Sequence, residues 1–112
     1  MNQETNIQNK AIVACADIAC LWRYQVGKFY TLDARLISIG IPGFPDVVGF
    51  RHADGKFIVL EFKTLEGRLR PEQIAFRDNI ALKYPIIYGT PRSIEDARSC
   101  IINEQNDRKF IT

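Results

Sequence analysis

A chain of 112 residues has room for one hydrophobic core and none for a second, and 46% apolar with 25% charged residues excludes a disordered chain. Its 15 basic and 13 acidic residues leave a formal charge of +2, too mild to announce a polyanion binder and no bar to one. Three cysteines (Cys15, Cys20 and Cys100) with a single histidine, His52, are too few soft ligands for a structural zinc.

The cysteines therefore read as reduced packing residues. Met1 to Lys10 is polar, and no apolar run approaches about 18 residues, so a soluble, cytoplasmic protein is expected.

Residues 3 to about 22 read as a helix, with Ile7, Ala11, Ala14, Ile18 and Leu21 at spacings of three and four. Glu4 lies one turn before Ile7, on or beside that stripe. Gly27 breaks the pattern. From Phe29 to Ile41 the composition is β-like, with a bend at Asp33-Ala34-Arg35. The run Gly40-Ile-Pro-Gly-Phe-Pro45 is a loop whose prolines hold the backbone extended before Asp46.

Asp46 to Phe50 reads as a short strand and Lys56 to Thr64 as the next. Between them lies a turn around Ala53-Asp54-Gly55, where Asp-Gly tolerates positive φ. Alternation along the second strand puts Phe57, Val59, Glu61 and Lys63 on one face and Ile58, Leu60 and Phe62 on the other.

After a loop, a helix starts at Pro71, with Ile74, Phe76 and Ile80 apolar and Gln73 one turn before Phe76 and Arg77; Pro85 ends it. Ile86 to Gly89 is another strand. Ser93 followed by Asp96 is a capping signal for a last helix through about Asn103. The order helix, three strands, helix, strand, helix predicts an α/β sandwich: a mixed central sheet with the hairpin in its middle and helices on its faces.

The hairpin brings ionisable groups together. Fourteen residues separate Asp46 from Glu61, so folding back at Asp54-Gly55 sets the start of one strand beside the end of the next. Glu61 and Lys63 share a face. Carboxylates and an ammonium held on strands are expensive to bury without a purpose. Two neighbouring carboxylates suit a hard divalent cation such as Mg²⁺ or Mn²⁺. Such a cation can polarise a phosphoryl group, acidify a bound water and stabilise a leaving oxygen, while the lysine positions that water or offsets transition-state charge. Glu-x-Lys alone is a common tripeptide. Joined to Pro-Asp at hairpin spacing, at the end of an apolar strand, it is far less so.

The segments Gly43-Phe-Pro-Asp46-Val-Val-Gly49 and Glu61-Phe-Lys-Thr-Leu-Glu-Gly67-Arg-Leu-Arg-Pro-Glu-Gln73 resemble the VRR-NUC family of the PD-(D/E)xK nuclease superfamily. The likeness extends upstream to Glu4 and Trp22-Arg23 and downstream to Tyr88; where the family often has Asn after Trp-Arg, this chain has Tyr24. The short length resembles stand-alone phage and bacterial members.

That resemblance implies a restriction-endonuclease-like core and metal-dependent cleavage of DNA, with a preference for Holliday-junction or branched DNA by a homodimer. It implies Asp46, Glu61 and the backbone carbonyl of Phe62 as metal ligands, with Glu4 completing the acidic cluster directly or through water. Lys63 would be the catalytic lysine. Gln73 would face the site and help hold lysine, water or phosphate, and Gly67 would ease the turn from strand to helix.

Arg23, Arg68 and Arg70 are candidate phosphate contacts. His52, beside a hairpin turn, reads as a surface residue, Trp22 as packing, and Phe44 as either a DNA contact or a cover for the sheet. Two rival readings are a non-catalytic DNA-binding or assembly module that kept the fold, and a sequence-specific restriction-type nuclease. The second is disfavoured by a chain too short to carry a base-reading domain as well.

Overall fold

The computed structural model describes residues 3–24, 27–30 and 32–104, with the backbone alone at 3, 4, 27–30 and 36–39. In chain order the elements are α1 (Gln3–Ala14), β1 (Ala19–Arg23), β2 (Gly27–Tyr30), β3 (Leu36–Ile39), β4 (Val47–Arg51), β5 (Phe57–Leu60), α2 (Pro71–Asn79), a single 3₁₀ turn (Ala81–Lys83), β6 (Ile87–Gly89) and α3 (Ile94–Asn103). One sheet runs β1-β4-β5-β6, antiparallel except for the parallel β5–β6 pair, and β2 and β3 form a separate hairpin.

The alternation predicted along β5 is what divides the core in two. Ile58, Leu60 and Phe62 pack with Ala11 of α1 and Cys15 just after it, and with Ala97, Cys100 and Ile101 of α3. On the opposite face Val59 joins Val48 and Tyr88 under Phe76 of α2. The result is a three-layer α/β/α arrangement around a mixed open sheet, the restriction-endonuclease-like architecture read from the sequence. The β4–β5 hairpin occupies its middle. Its turn uses Gly55 at φ +74°, closed by Gly55 N–H donating to Arg51 O at 2.7 Å. The last helix is capped as read: Ser93 Oγ accepts from Asp96 N at 3.0 Å.

The first helix departs from its expectation. It ends at Ala14, and residues 19–23 are an edge strand paired with β4 from Ala19↔Arg51 to Arg23↔Val47. The stop comes from across the fold. Arg98 of α3 donates to the Ala14 carbonyl at 2.8 Å and to both carboxylate oxygens of Asp17, at 2.8 and 3.1 Å. A guanidinium on the last carbonyls of a helix satisfies acceptors that have no intrahelical partner and opposes the negative dipole end. Ile18 and Leu21 thus fit a helical stripe by spacing but belong to a turn and a strand. Ala14, placed on the stripe, is exposed, and Gln8 takes a buried place on α1 instead. Of the three cysteines, Cys15 and Cys100 are buried, whereas Cys20 is exposed on β1. No helix among the described residues is long and apolar enough to cross a membrane.

Candidate active site

The β4–β5 register, Val47↔Leu60 through Phe50↔Phe57, sets Asp46 and Glu61 side by side just past the paired strands. The ladder to the last strand continues beyond β5: Glu61 N donates to Gly89 O at 3.0 Å and Lys63 N to Pro91 O at 3.1 Å. Glu61, Phe62 and Lys63 therefore keep strand-like alternation at the sheet's end. Glu61 and Lys63 are 5% and 7% exposed, and Nζ stands 3.9 Å from Oε2. That separation is within Coulombic reach and beyond a direct hydrogen bond. At such a distance the ion pair itself gains little against the cost of burying two charges, so ion pairing alone does not explain the arrangement.

Asp46 is held from several sides. Its Oδ1 accepts from the Phe62 backbone N–H at 3.3 Å, its Oδ2 accepts from Gln8 Nε2 at 2.7 Å, and its own carbonyl accepts from Tyr24 N at 2.8 Å. The preceding loop is pinned as well. Gly43 sits at φ +79°, where a Cβ would run into the Glu72 carbonyl of α2, so glycine is required there both by conformation and by contact. Phe44 covers the sheet, its ring 5.1 Å from Tyr24 and 5.2 Å from Phe76. Sequence, loop and sheet thus converge on one orientation of the Asp46 carboxylate.

The other candidates divide. Gln73 is 4% exposed, but its Oε1 accepts from Arg70 N at 2.8 Å and so caps α2; only its amide nitrogen is left as the group that can donate toward the site. The backbone puts Glu4 on α1 one turn before Gln8, and its side chain lies outside the described residues. Arg23 is exposed at the Asp46 end of β1, opposite Val47. Arg68 and Arg70 are exposed on the loop before α2, where Arg70 pairs with Glu72 at 2.9 Å. Arg77 is buried beside Asp78 at 2.6 Å, a hydrogen bond that raises its pKa. His52 is exposed at the opposite end of the hairpin, with Nε2 3.0 Å from Ala16 O. Gly67 has no left-handed φ, and its turn is made by its own N–H donating to Thr64 O at 3.1 Å.

Two residues were not anticipated. Gln8 orients Asp46 as described; its only signal was a place one turn beyond Glu4, masked by its polar side chain in an apolar stripe. Arg92 clamps the loop that follows Lys63, Nη1 donating to the carbonyls of Thr64 at 2.5 Å, Gly67 at 2.6 Å and Leu65 at 3.3 Å. No local pattern announces such a contact. Beside this loop opens a cleft of about 550 Å³, lined by Asn6, Ile7, Thr64, Leu65, Glu66 and Arg92.

Among the described residues no group of three or more His, Cys, Asp or Glu is assembled to hold a metal. The site offers two carboxylates on neighbouring strand ends, a donor set of oxygen alone. Mg²⁺ and Mn²⁺ fit this chemistry, since Mg²⁺ is commonly held by only one or two carboxylates and keeps several of its waters.

The family model of the VRR-NUC domain matches residues 3–85. No curated protein matches the chain. The chain belongs to the VRR-NUC family, a PD-(D/E)xK-like nuclease domain.

Proposed function

Taking the chain as the nuclease-type domain its family makes it, we propose that it is a Mg²⁺- or Mn²⁺-dependent endonuclease cutting DNA at the open end of the β4–β5 hairpin. One observation carries the reading. The Asp46 carboxylate, held by Gln8 and the Phe62 N–H, lies beside a buried Glu61–Lys63 pair whose burial ion pairing alone does not explain.

In this reading Asp46, Glu61 and the Phe62 carbonyl hold the cation, with Glu4 contributing directly or through water. The cation, when bound, supplies Lewis-acid polarisation of the phosphoryl group and an acidified water. Gln8 fixes the carboxylate of Asp46 in one rotamer. Lys63 orients the attacking water or offsets charge on the phosphoryl oxygens. Water attacks directly, and no protein nucleophile forms a covalent intermediate. Gln73 assists through its amide nitrogen. Arg23, Arg68 and Arg70 contact phosphates and so give affinity without sequence preference.

The preferred substrate in this proposal is branched or junction DNA, cut by a homodimer whose two sites face two strands. Support for pairing comes from the exposed aromatic patch of Trp22 and Phe50, whose ring centroids are 5.9 Å apart.

The test is incubation of the purified protein with labelled four-way junction, flap, single-strand and plain duplex DNA, each with Mg²⁺, Mn²⁺ or EDTA. Cutting that needs metal and favours the branched substrates is expected. Binding without cutting under both metals would replace the proposal with the non-catalytic module. Cutting of plain duplex at one sequence would replace it with the restriction-type reading.

A further inference from the structure

Among the described residues, one buried side-chain nitrogen or oxygen makes no hydrogen bond: Oγ1 of Thr90, on a residue 2% exposed. Its place in the sheet gives this meaning. The parallel register Ile58↔Ile87, Val59↔Tyr88, Leu60↔Gly89 continues through Glu61 N→Gly89 O and Lys63 N→Pro91 O, so Thr90 falls in step with Glu61. Paired residues of neighbouring parallel strands point to the same face. The two cores bear this out, with Ile58 and Ile87 in one and Val59 and Tyr88 in the other. Thr90 therefore projects on the face of Glu61 and Lys63, one strand spacing (about 4.8 Å) from Glu61.

We propose that Thr90 is a positioning residue of this site, its hydroxyl holding a water between itself and the Glu61–Lys63 pair; the inference rests on the nuclease reading of the site. A buried hydroxyl without a partner is disfavoured, and a buried water needs about two to four polar partners. Thr90, Glu61 and Lys63 supply three. Such a water accepts from the Lys63 ammonium and from the Thr90 hydroxyl and donates to the Glu61 carboxylate. It sets the angle at which Glu61 and Lys63 meet a cation and a phosphate, without Thr90 touching either.

The test compares Thr90→Val and Thr90→Ala, which lack the hydroxyl, with Thr90→Ser, which keeps it. Three readouts are taken: calorimetric titration with Mn²⁺ alone, kcat and KM on whichever DNA the wild type cuts, and Tm. Loss of the hydroxyl is expected to weaken Mn²⁺ binding and lower kcat by about tenfold each, with KM unchanged, the scale found when an orienting partner of a metal ligand is removed. Serine is expected to restore both to within about threefold. Valine and alanine variants that bind Mn²⁺ and cut like wild type, with valine raising Tm, would overturn the proposal and make Thr90 a packing residue. If the wild type binds Mn²⁺ but cuts no DNA, the nuclease reading falls and Thr90 is judged by the Mn²⁺ titrations. If the wild type takes up no Mn²⁺, both fall.

Discussion

At the turn end of the β4–β5 hairpin, Arg51 lies 2.6 Å from Asp54 and 3.1 Å from Glu104, and Lys56 reaches Glu104 at 2.5 Å. At the open end, Lys63 stands 3.9 Å from Glu61 with both side chains covered. The first set is close-paired, and its carboxylates are open to solvent. Hydrogen bonds from Arg51 hold Asp54 down to about pH 2, and the Lys56 and Arg51 contacts lower Glu104. Its work is local, tying the turn to the end of α3. The second set is buried and loosely paired, with a neighbouring aspartate oriented by an amide from another element. Surface pairs of the first kind add little to stability, and buried pairs of the second kind commonly subtract from it. Charge count does not separate the two ends. Burial and pairing distance do, and under the proposed function the open end is where a cation would sit.

The largest effect that sharpens this contrast is expected from Asp46→Asn. It should lower metal-dependent cleavage by about 10³-fold, or about 4 kcal/mol in the barrier, while Tm stays near wild type, because the half-buried side chain keeps its size and one accepting oxygen. Initial rates and thermal melts check it. Gly43→Ala comes next. It meets the Glu72 carbonyl and a φ of +79°, so a loss of about 1–3 kcal/mol in urea unfolding is expected, with activity falling as the loop before Asp46 shifts. Gln8→Met keeps length and burial but removes the donor to Asp46. A drop of about tenfold in rate and Mn²⁺ affinity is expected, with Tm little changed; an unaltered rate would reduce Gln8 to packing. The smallest effect belongs to the turn. Asp54 titrates below its ordinary 3.8 when folded, so its contribution is full above that value and fades as pH falls toward about 2. Tm measured against pH should show wild type slightly above Asp54→Asn at neutral pH, converging across that window, with cleavage by the variant unaffected.

Much of the candidate site's geometry was legible because its signals are local. The alternation of Phe57 to Lys63, the Asp54-Gly55 turn and the Ser93 cap each act within a few residues, and the first two fix which ends of the two strands meet. What escaped is long-range. Nothing near Ala14 signals that Arg98 will cap α1, so Ile18 and Leu21 pass for helix by spacing alone. Gln8 finds Asp46 across 38 positions of sequence, and Arg92 finds the loop carbonyls across 25 to 28. Gln73 shows the opposite ambiguity: a glutamine two residues after Pro71 fits both a cap and a site, and the cap takes its oxygen.

The most direct measurement sets the two ends against each other: cleavage rates of Lys63→Ala and Arg51→Ala on the best wild-type substrate with Mg²⁺, beside their melting curves. The account predicts that Lys63→Ala folds and does not cut, while Arg51→Ala cuts at the wild-type rate and melts earlier. A folded Lys63→Ala that cuts normally, or an Arg51→Ala that is folded and inactive, would contradict it.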